Sequence, residues 1–291
     1  MTDKVFLRAF AKVNYALEVL GSRDDGYHEI SSVLQSISLA DEVEIERSKG
    51  GFELSLEPEG VEVGPIERNT VCRAWKSLCT LAGVELPVRI RLHKKVPARA
   101  GLGGGSADAA AALVGLNELF GLGFNPRDLR GVGAKIGADV PFALAGGTAL
   151  TQGVGEILTP LPAPPAHRML IAKPERGADT GGIYRSYDEL HTRGEASVAA
   201  LVAALGSGSL TAFAGAVGND LEPVTSELVP EVAAYKRDML RAGALGTAMT
   251  GTGTAVYGIF DAEDETGTAE ASLRATFVGA CKPVGAGVAM L

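Results

Sequence analysis

Between Pro97 and Leu113 the sequence reads PARAGLGGGSADAAAAL. Glycine inside a helix costs about 1 kcal/mol relative to alanine. Four glycines (Gly101, Gly103, Gly104 and Gly105) crowded before a strong helix former therefore mark backbone that must approach something closely or adopt left-handed torsions. Ahead of them Val88, Ile90 and Leu92 alternate with Arg89, Arg91 and His93 as a strand would. Behind them a helix is expected from about Ser106 to Leu119. In a strand, a glycine loop and a helix start, the inward amides and the unpaired first-turn donors form an anion site, and the chemistry is phosphate binding. Ser106 either caps the helix or offers its hydroxyl to a phosphate or magnesium ion, and Asp108 suits the first turn electrostatically. A Walker loop would need lysine before Ser106. A dinucleotide fingerprint would need glycine where Ser106 stands. The residues leave a phosphate cradle of another kind, or a purely structural turn.

Other reactive types are scattered. Lys12 and Asn14 interrupt an apolar, strand-like stretch from Val5 to Val19; such a lysine either does chemistry or lays its stem along apolar surface. Asp139 stands between Gly137-Ala138 and Pro141, as a base or as a turn aspartate. SRDDGYH (Ser22 to His28) is a turn built on Asp25-Gly26 and closed by Tyr27 and His28. Asn219 and Asp220 read as a helix-start cap, and Glu156 is given no metal role.

These residues need elements to hold them. Ile30 to Leu39, Val43 to Ile45 and Phe52 to Leu56 read as extended. Asn69 caps a helix running through Leu81, and Asn125-Pro126 starts another with Leu129, Val132 and Ile136 on its apolar face. TPLPAPPAH (Thr159 to His167) has four prolines in nine residues and is taken as a boundary between domains at 1–158 and 168–291. Beyond it a strand from Met169 to Ala172 is expected. Helices follow near Ile183–Leu190, Glu195–Leu205, Leu228–Ala242 and Thr268–Phe277, with strands near Thr247, Ala255–Phe260 and Val288–Leu291. The second half thus reads as an antiparallel sheet backed by helices.

The chain has 291 residues, 46% of them hydrophobic, which suffices for two ordinary cores. A net charge of −8 argues against nucleic acid as partner, though not against anionic small molecules held locally. Three cysteines without a C-x-x-C pair and four scattered histidines argue against a disulfide framework or a zinc site. No signal-peptide core and no apolar run of about 18 residues is present, so a cytoplasmic protein without a membrane span is expected. Oligomeric state is left open by these features.

The loop PARAGLGGGSADAA resembles that of the GHMP kinases, the small-metabolite kinase family of galactokinase, homoserine kinase, mevalonate kinase and phosphomevalonate kinase. Within it, AKVNYALEVLGSRDDGYHEI from Ala11, IGADVPFALAGGTAL from Ile136 and TGTGTAVYGIF from Thr250 resemble the branch that acts on a cytidyl diphosphate alcohol. The likeness covers nearly the whole chain. It implies an α/β (α+β) two-domain fold, with a ribosomal S5-like N-terminal domain, a ferredoxin-like C-terminal domain and both substrates in the cleft between them. The implied reaction is direct transfer of the ATP γ-phosphate, with Mg²⁺, to the 2-hydroxyl of 4-diphosphocytidyl-2-C-methyl-D-erythritol, in the non-mevalonate isoprenoid route.

By the same resemblance Asp139 is the base and Lys12 its catalytic partner. Asn69, Lys94, Pro97, Gly101, Leu102, Gly103, Gly104, Gly105, Ser106 and Ala107 hold ATP. Asn14, Tyr27, His28, Asp139, Gly251 and Gly253 contact the alcohol substrate, with Tyr184 as a second aromatic wall. Thr250 and Thr252 replace serines of the family pattern while keeping the hydroxyls. The rivals are a sibling kinase for homoserine or a mevalonate-type alcohol, opposed by the DGYH and KVN segments, and a non-catalytic binding module on the S5-like fold, opposed by the acidic charge and the Lys12–Asp139 pair.

Overall fold

The computed structural model describes residues 3–58, 65–189, 194–264 and 266–291. In the first half the strands are β1 (Lys4–Ser22), β2 (His28–Arg47), β3 (Phe52–Glu57), β4 (Val88–His93), β5 (Thr148–Gly153) and β6 (Ile157–Pro160). The helices there are α1 (Thr70–Ala82), α2 (Gly104–Phe120), α3 (Pro126–Ile136) and α4 (Val140–Ala145). The second half supplies β7 (His167–Lys173), β8 (Gly218–Asn219), β9 (Gly246–Met249), β10 (Val256–Asp261), β11 (Phe277–Cys281) and β12 (Val288–Met290). Its helices are α5 (Thr180–Glu189), α6 (Val198–Ser207), α7 (Leu210–Gly215), α8 (Glu222–Leu228), α9 (Glu231–Arg241) and α10 (Gly267–Ser272).

One sheet runs β12-β1-β2-β4-β3, with β5 on β2, β6 on β5 and β8 on β1; the other is antiparallel, β11-β7-β10-β9. β1 and β2 are single long strands where the sequence suggested short pieces. The interruption read at Lys12 and Asn14 is real but local: register shifts fall between Phe10 and Lys12 and between Asn14 and Ala16. Such bulges re-aim side chains without ending a strand. Helices α1 to α4 close one face of this sheet over Leu7, Ile45, Ile90, Leu113 and Leu116. In the second sheet β7 alternates as a doubly covered strand must. Met169 and Ile171 face Tyr15, Phe213 and Tyr257, while Leu170 and Ala172 face Val232, Met239 and Leu221.

Local signals set several boundaries. Asn69 caps α1 through Val71 N, and Gly83 ends the helix in a left-handed conformation. Asn125 and Asp128 form a reciprocal capping box on α3. The helix expected over Leu228–Ala242 is α9 and starts only at Glu231, because Pro230 lacks an amide hydrogen and keeps Val229 out of the helical region; α8, which ends at Leu228, was not expected. The helix expected to reach Phe277 stops at Ser272, since Phe277–Cys281 pairs with β7 as an edge strand. Leu190, the expected end of α5, lies outside the described residues.

The last strand does not join the second sheet. β12 returns to β1, pairing Leu7 with Met290 and Ala9 with Val288. The approach is tight: a Cβ on Gly146, at the end of α4, would stand 2.0 Å from Gly287 N, and one on Gly287 would stand 1.9 Å from Ala143 O. α4 is thus wedged against the segment that leads into β12.

Candidate active site

The glycine loop joins β4 to α2, and the helix starts earlier than the sequence suggested. Gly103 is the N-cap, at φ 69, and its carbonyl accepts from Ser106 N and Ala107 N. Ser106 is therefore inside the first turn and caps nothing, so its hydroxyl is left at the cleft wall. Asp108 has a partner rather than a merely electrostatic preference. It is buried, and its Oδ2 accepts from Lys94 Nζ at 2.6 Å. The same ammonium reaches Asp41 at 2.5 Å, and Asp41 Oδ1 accepts from Lys95 N and Val96 N. This trio pins β2, the end of β4 and the start of α2 beneath the loop. Burial pushes the Asp108 carboxyl up to about 7; Lys94 pulls it down and Asp41 adds to the rise. Burial also weighs against the Lys94 ammonium, but the two carboxylates outweigh it and hold the lysine above its ordinary value.

Two of the glycines serve protein contacts rather than open space for a ligand. A Cβ on Gly101 (φ 75) would stand 2.0 Å from Thr250 O. One on Gly103 would stand 2.9 Å from Lys12 Cγ. Gly251 answers Gly101 from the other half, where its own Cβ would meet Gly101 Cα at 3.1 Å. The two glycine loops therefore touch backbone to backbone, with the Lys12 stem passing beside them.

Lys12 and Asn14 lie between the first two of the three register shifts of β1. Lys12 N donates not to β2 but to Leu102 O at 2.9 Å. Its ammonium donates to Asn14 Oδ1 at 2.7 Å and sits 3.6 Å from Asp139 Oδ2. Asn14 Oδ1 also accepts from Gly251 N at 3.0 Å and faces Thr250 Oγ1 at 3.1 Å; its Nδ2 donates to Ser32. Asn14 N in turn donates to the Thr250 hydroxyl, and Tyr257 donates to Asn14 O. Asn219 was read as a helix cap. Its amide instead braces the second loop, donating to Met249 O and Gly251 O, and its Oδ1 accepts from Leu221 N. Asp139 occupies the N-cap position of α4, yet its side chain makes no cap hydrogen bond, which leaves the carboxylate to the cleft and to Lys12.

The other end of the cleft is aromatic. Tyr184, on α5, stacks on His28 with ring centroids 4.6 Å apart, and Asp188 Oδ1 lies 2.8 Å from His28 Nε2. Tyr27 beside it is 65% exposed. Burial first, and the Asp139 carboxylate second, push the Tyr184 hydroxyl up to about 12. Tyr184 thus belongs to the aromatic corner and also feels the Asp139 carboxylate.

The cavity that joins these parts measures about 770 Å³. It is lined by Lys12, Asn14, Tyr27, His28, Gly101, Gly103, Ser106, Asp139, Tyr184, Gly251 and Gly253, all named from the sequence. Asn69, Lys94, Pro97, Leu102, Gly104, Gly105 and Ala107 are not in its wall. Asn69 is occupied with capping α1, Lys94 with its two carboxylates, and Leu102 and Ala107 are core. Sequence reasoning missed Arg99, Thr180 and Asp188, which also line it, as does Thr252, named above only for its hydroxyl. Arg99 sat within the loop motif itself and takes φ 51, unusual for a residue with a side chain. Asp188 carried a signal in its spacing, one helical turn after Tyr184. Glu156 accepts from Val154 N in a turn, which accounts for it locally. Among the described residues there is no cluster of three metal-ligating side chains, and no helix is long and apolar enough to cross a membrane.

The chain is similar in sequence and fold to known proteins. Residues 69–147 match the GHMP kinases N terminal domain and residues 201–279 the GHMP kinases C terminal domain. The 4-diphosphocytidyl-2-C-methyl-D-erythritol kinase of Pelotomaculum thermopropionicum is 46% identical over 252 residues, covering 86% of this chain and 87% of that protein. The kinase of the same name from a Thermoanaerobacter species is 42% identical over 258 residues, covering 89% and 88%. A crystal structure of 4-(cytidine 5'-diphospho)-2C-methyl-D-erythritol kinase superposes with a TM-score of 0.80 at 33% identity, over 96% of this chain and 99% of that one. The homoserine kinase of Cytophaga hutchinsonii shares the fold, with a TM-score of 0.78 at 22% identity over 100% and 98% of the two chains. With two domain models matched in order and such identity over most of its length, the chain belongs to the GHMP kinases and, among them, to the 4-diphosphocytidyl-2-C-methyl-D-erythritol kinase family.

Proposed function

We propose that the protein transfers the γ-phosphoryl group of ATP to the 2-hydroxyl of 4-diphosphocytidyl-2-C-methyl-D-erythritol, giving the 2-phosphate and ADP, in the non-mevalonate route to isoprenoids. The observation that carries this reading is the Lys12–Asp139 pair, 3.6 Å apart where two glycine loops meet, with an aromatic corner in the same cavity. An alcohol attacks phosphorus poorly while it keeps its proton. Asp139, uncommitted to capping, is the base that accepts it. The Lys12 ammonium favours the ionised carboxylate and opposes negative charge building at the reacting oxygens. Asn14 holds that ammonium in place and is itself fixed by the Thr250–Gly251 loop.

The amides of Gly103 to Gly105, at the start of α2, take the ATP phosphates with the Ser106 hydroxyl beside them, and the corner of Tyr27, His28 and Tyr184 takes the cytosine, so that the alcohol lies between them. The substrates then bridge the halves at 1–158 and 168–291. A magnesium ion held chiefly by phosphates needs only one or two protein oxygens, and the Ser106 hydroxyl and Asp139 carboxylate, both in the cavity wall, suit that mode. When bound, the ion supplies charge screening for the triphosphate. The reading places the enzyme in the cytoplasm, which suits its three free thiols.

The test is ATP consumption by purified protein with Mg²⁺ and, in parallel, the cytidyl substrate, homoserine and mevalonate. Turnover confined to the cytidyl substrate is the expected result. Turnover with another alcohol would keep the transfer machinery and overturn the specificity.

A further inference from the structure

Asp188 lines the cavity and takes part in none of the steps above. It follows Tyr184 by one turn of α5, and both side chains reach the same imidazole. Tyr184 covers a face of the His28 ring, at an interplanar angle of 25°, while Asp188 Oδ1 lies 2.8 Å from Nε2. An ionised carboxylate can only accept a hydrogen bond, so Nε2 carries the proton. The His28 side chain is 8% exposed, and turning the ring would give up both contacts. Its Nδ1 has no hydrogen-bond partner among the described residues. In the neutral ring that nitrogen is a bare acceptor, because the partner of one imidazole nitrogen decides the role of the other.

Pyrimidine bases differ in what they would show to such an acceptor. Cytosine carries an exocyclic amine, a donor, where uracil carries a carbonyl, an acceptor. We propose that Asp188 is a positioning residue for base selection: it holds His28 as the Nε2–H tautomer, so that Nδ1 accepts from the cytosine amine and turns away a uracil carbonyl. The inference rests on the reading of this corner as the base pocket. It assigns the choice of base to a carboxylate that never touches the base.

The experiment compares kcat/KM for the cytidyl substrate and its uridyl counterpart in the native enzyme and in Asp188→Asn, Asp188→Glu and His28→Ala, with ¹⁵N NMR of the His28 ring. The native enzyme should prefer the cytidyl substrate by about 10- to 100-fold, the worth of one good base-edge contact. In Asp188→Asn the amide can donate to Nε2 and leave the proton on Nδ1. The cytidyl value should then fall, the uridyl value rise, and the preference narrow about tenfold, with the ring nitrogens exchanging their NMR signatures. Asp188→Glu should restore much of the preference. Equal loss for both substrates, or an unchanged tautomer in Asp188→Asn, overturns the proposal. A His28→Ala variant with unaltered KM for the cytidyl substrate would overturn instead the assignment of the corner to the base. Raised KM there, together with an unchanged base preference in Asp188→Asn, would overturn the tautomer role alone.

Discussion

The two ends of the cavity are built in opposite ways. At the transfer end, Lys12, Asn14, Thr250 and Gly251 form a closed set of hydrogen bonds that runs from β1 through the phosphate loop to the loop before β10, and Lys12, Asn14 and Thr250 are buried. At the base end, an exposed turn carries Tyr27, and His28 is held by one stack and one hydrogen bond from a single helix. Positioning of reacting groups tolerates little error, since displacement by about 1 Å can cost 100-fold in rate. Recognition of a flat base asks for a surface and one or two polar contacts. The molecule ties the first site into both halves and hangs the second on a turn and a helix.

The contrast can be broken at several points. Asp139→Asn should show the largest effect, lowering kcat by about 10²- to 10⁴-fold, the usual worth of a general base. Nucleotide affinity should be kept, and steady-state kinetics beside an ATP-analogue titration checks both. A paired glycine test comes next. A methyl on Gly101 would stand 2.0 Å from Thr250 O, whereas one on Gly26, in the base-end turn, would meet nothing within 4 Å. Both have positive φ, so both alanine variants carry backbone strain, but only Gly101→Ala should part the loops and lose about 100-fold in kcat/KM. Equal losses would mean that the loop contact has no part in catalysis. Tyr184→Ala should raise KM for the cytidyl substrate about tenfold, in keeping with the loss of one base-stacking face, and leave KM for ATP unchanged.

The smallest effect is on stability. Asp108 ordinarily titrates at 3.8 and is raised to about 7 in the fold, so the folded state holds a proton that the unfolded chain releases. Stability from this group is therefore present at low pH and falls as pH rises from about 4 to about 7. Asp108→Asn should flatten that part of the profile of Tm against pH, read by thermal melts at pH 5 and pH 8.

Much of the transfer end was legible in the sequence because its residues lie in short segments with strong local grammar: PARAGLGGGSADAA, the KVN interruption of β1, and TGTGT. What those segments do to one another was not. The crowding of Gly101 and Gly103 was read as room for a ligand, and part of it is room for Thr250 and Lys12, residues about 150 and 90 positions away. The family resemblance puts Lys94 and Asn69 near the nucleotide, but it says nothing of the partners they keep within the chain. Their side chains are taken by Asp41 and Asp108 and by the start of α1, a pairing that only the folded sheet reveals. Periodicity found β4, α1, α3 and β10. It passed over β5 and β11, whose partners β2 and β7 lie far off in sequence, over β6, which pairs with β5 across a short hairpin, and over α8, and it began α9 ahead of Pro230.

The pairing of β12 with β1 bears on how the molecule is made. Almost the whole length of the sequence separates these neighbours, and the segment between Gly285 and Gly287 must thread against α4, the helix that begins at Asp139. During synthesis the first sheet waits for its outermost strand until the ribosome has delivered the second half. Loop closure of that span is slow relative to local contacts. The helix whose N-cap is Asp139 therefore gains its packing against this segment late, so a nascent chain that already holds Lys12 and Asp139 still has an unfinished first sheet.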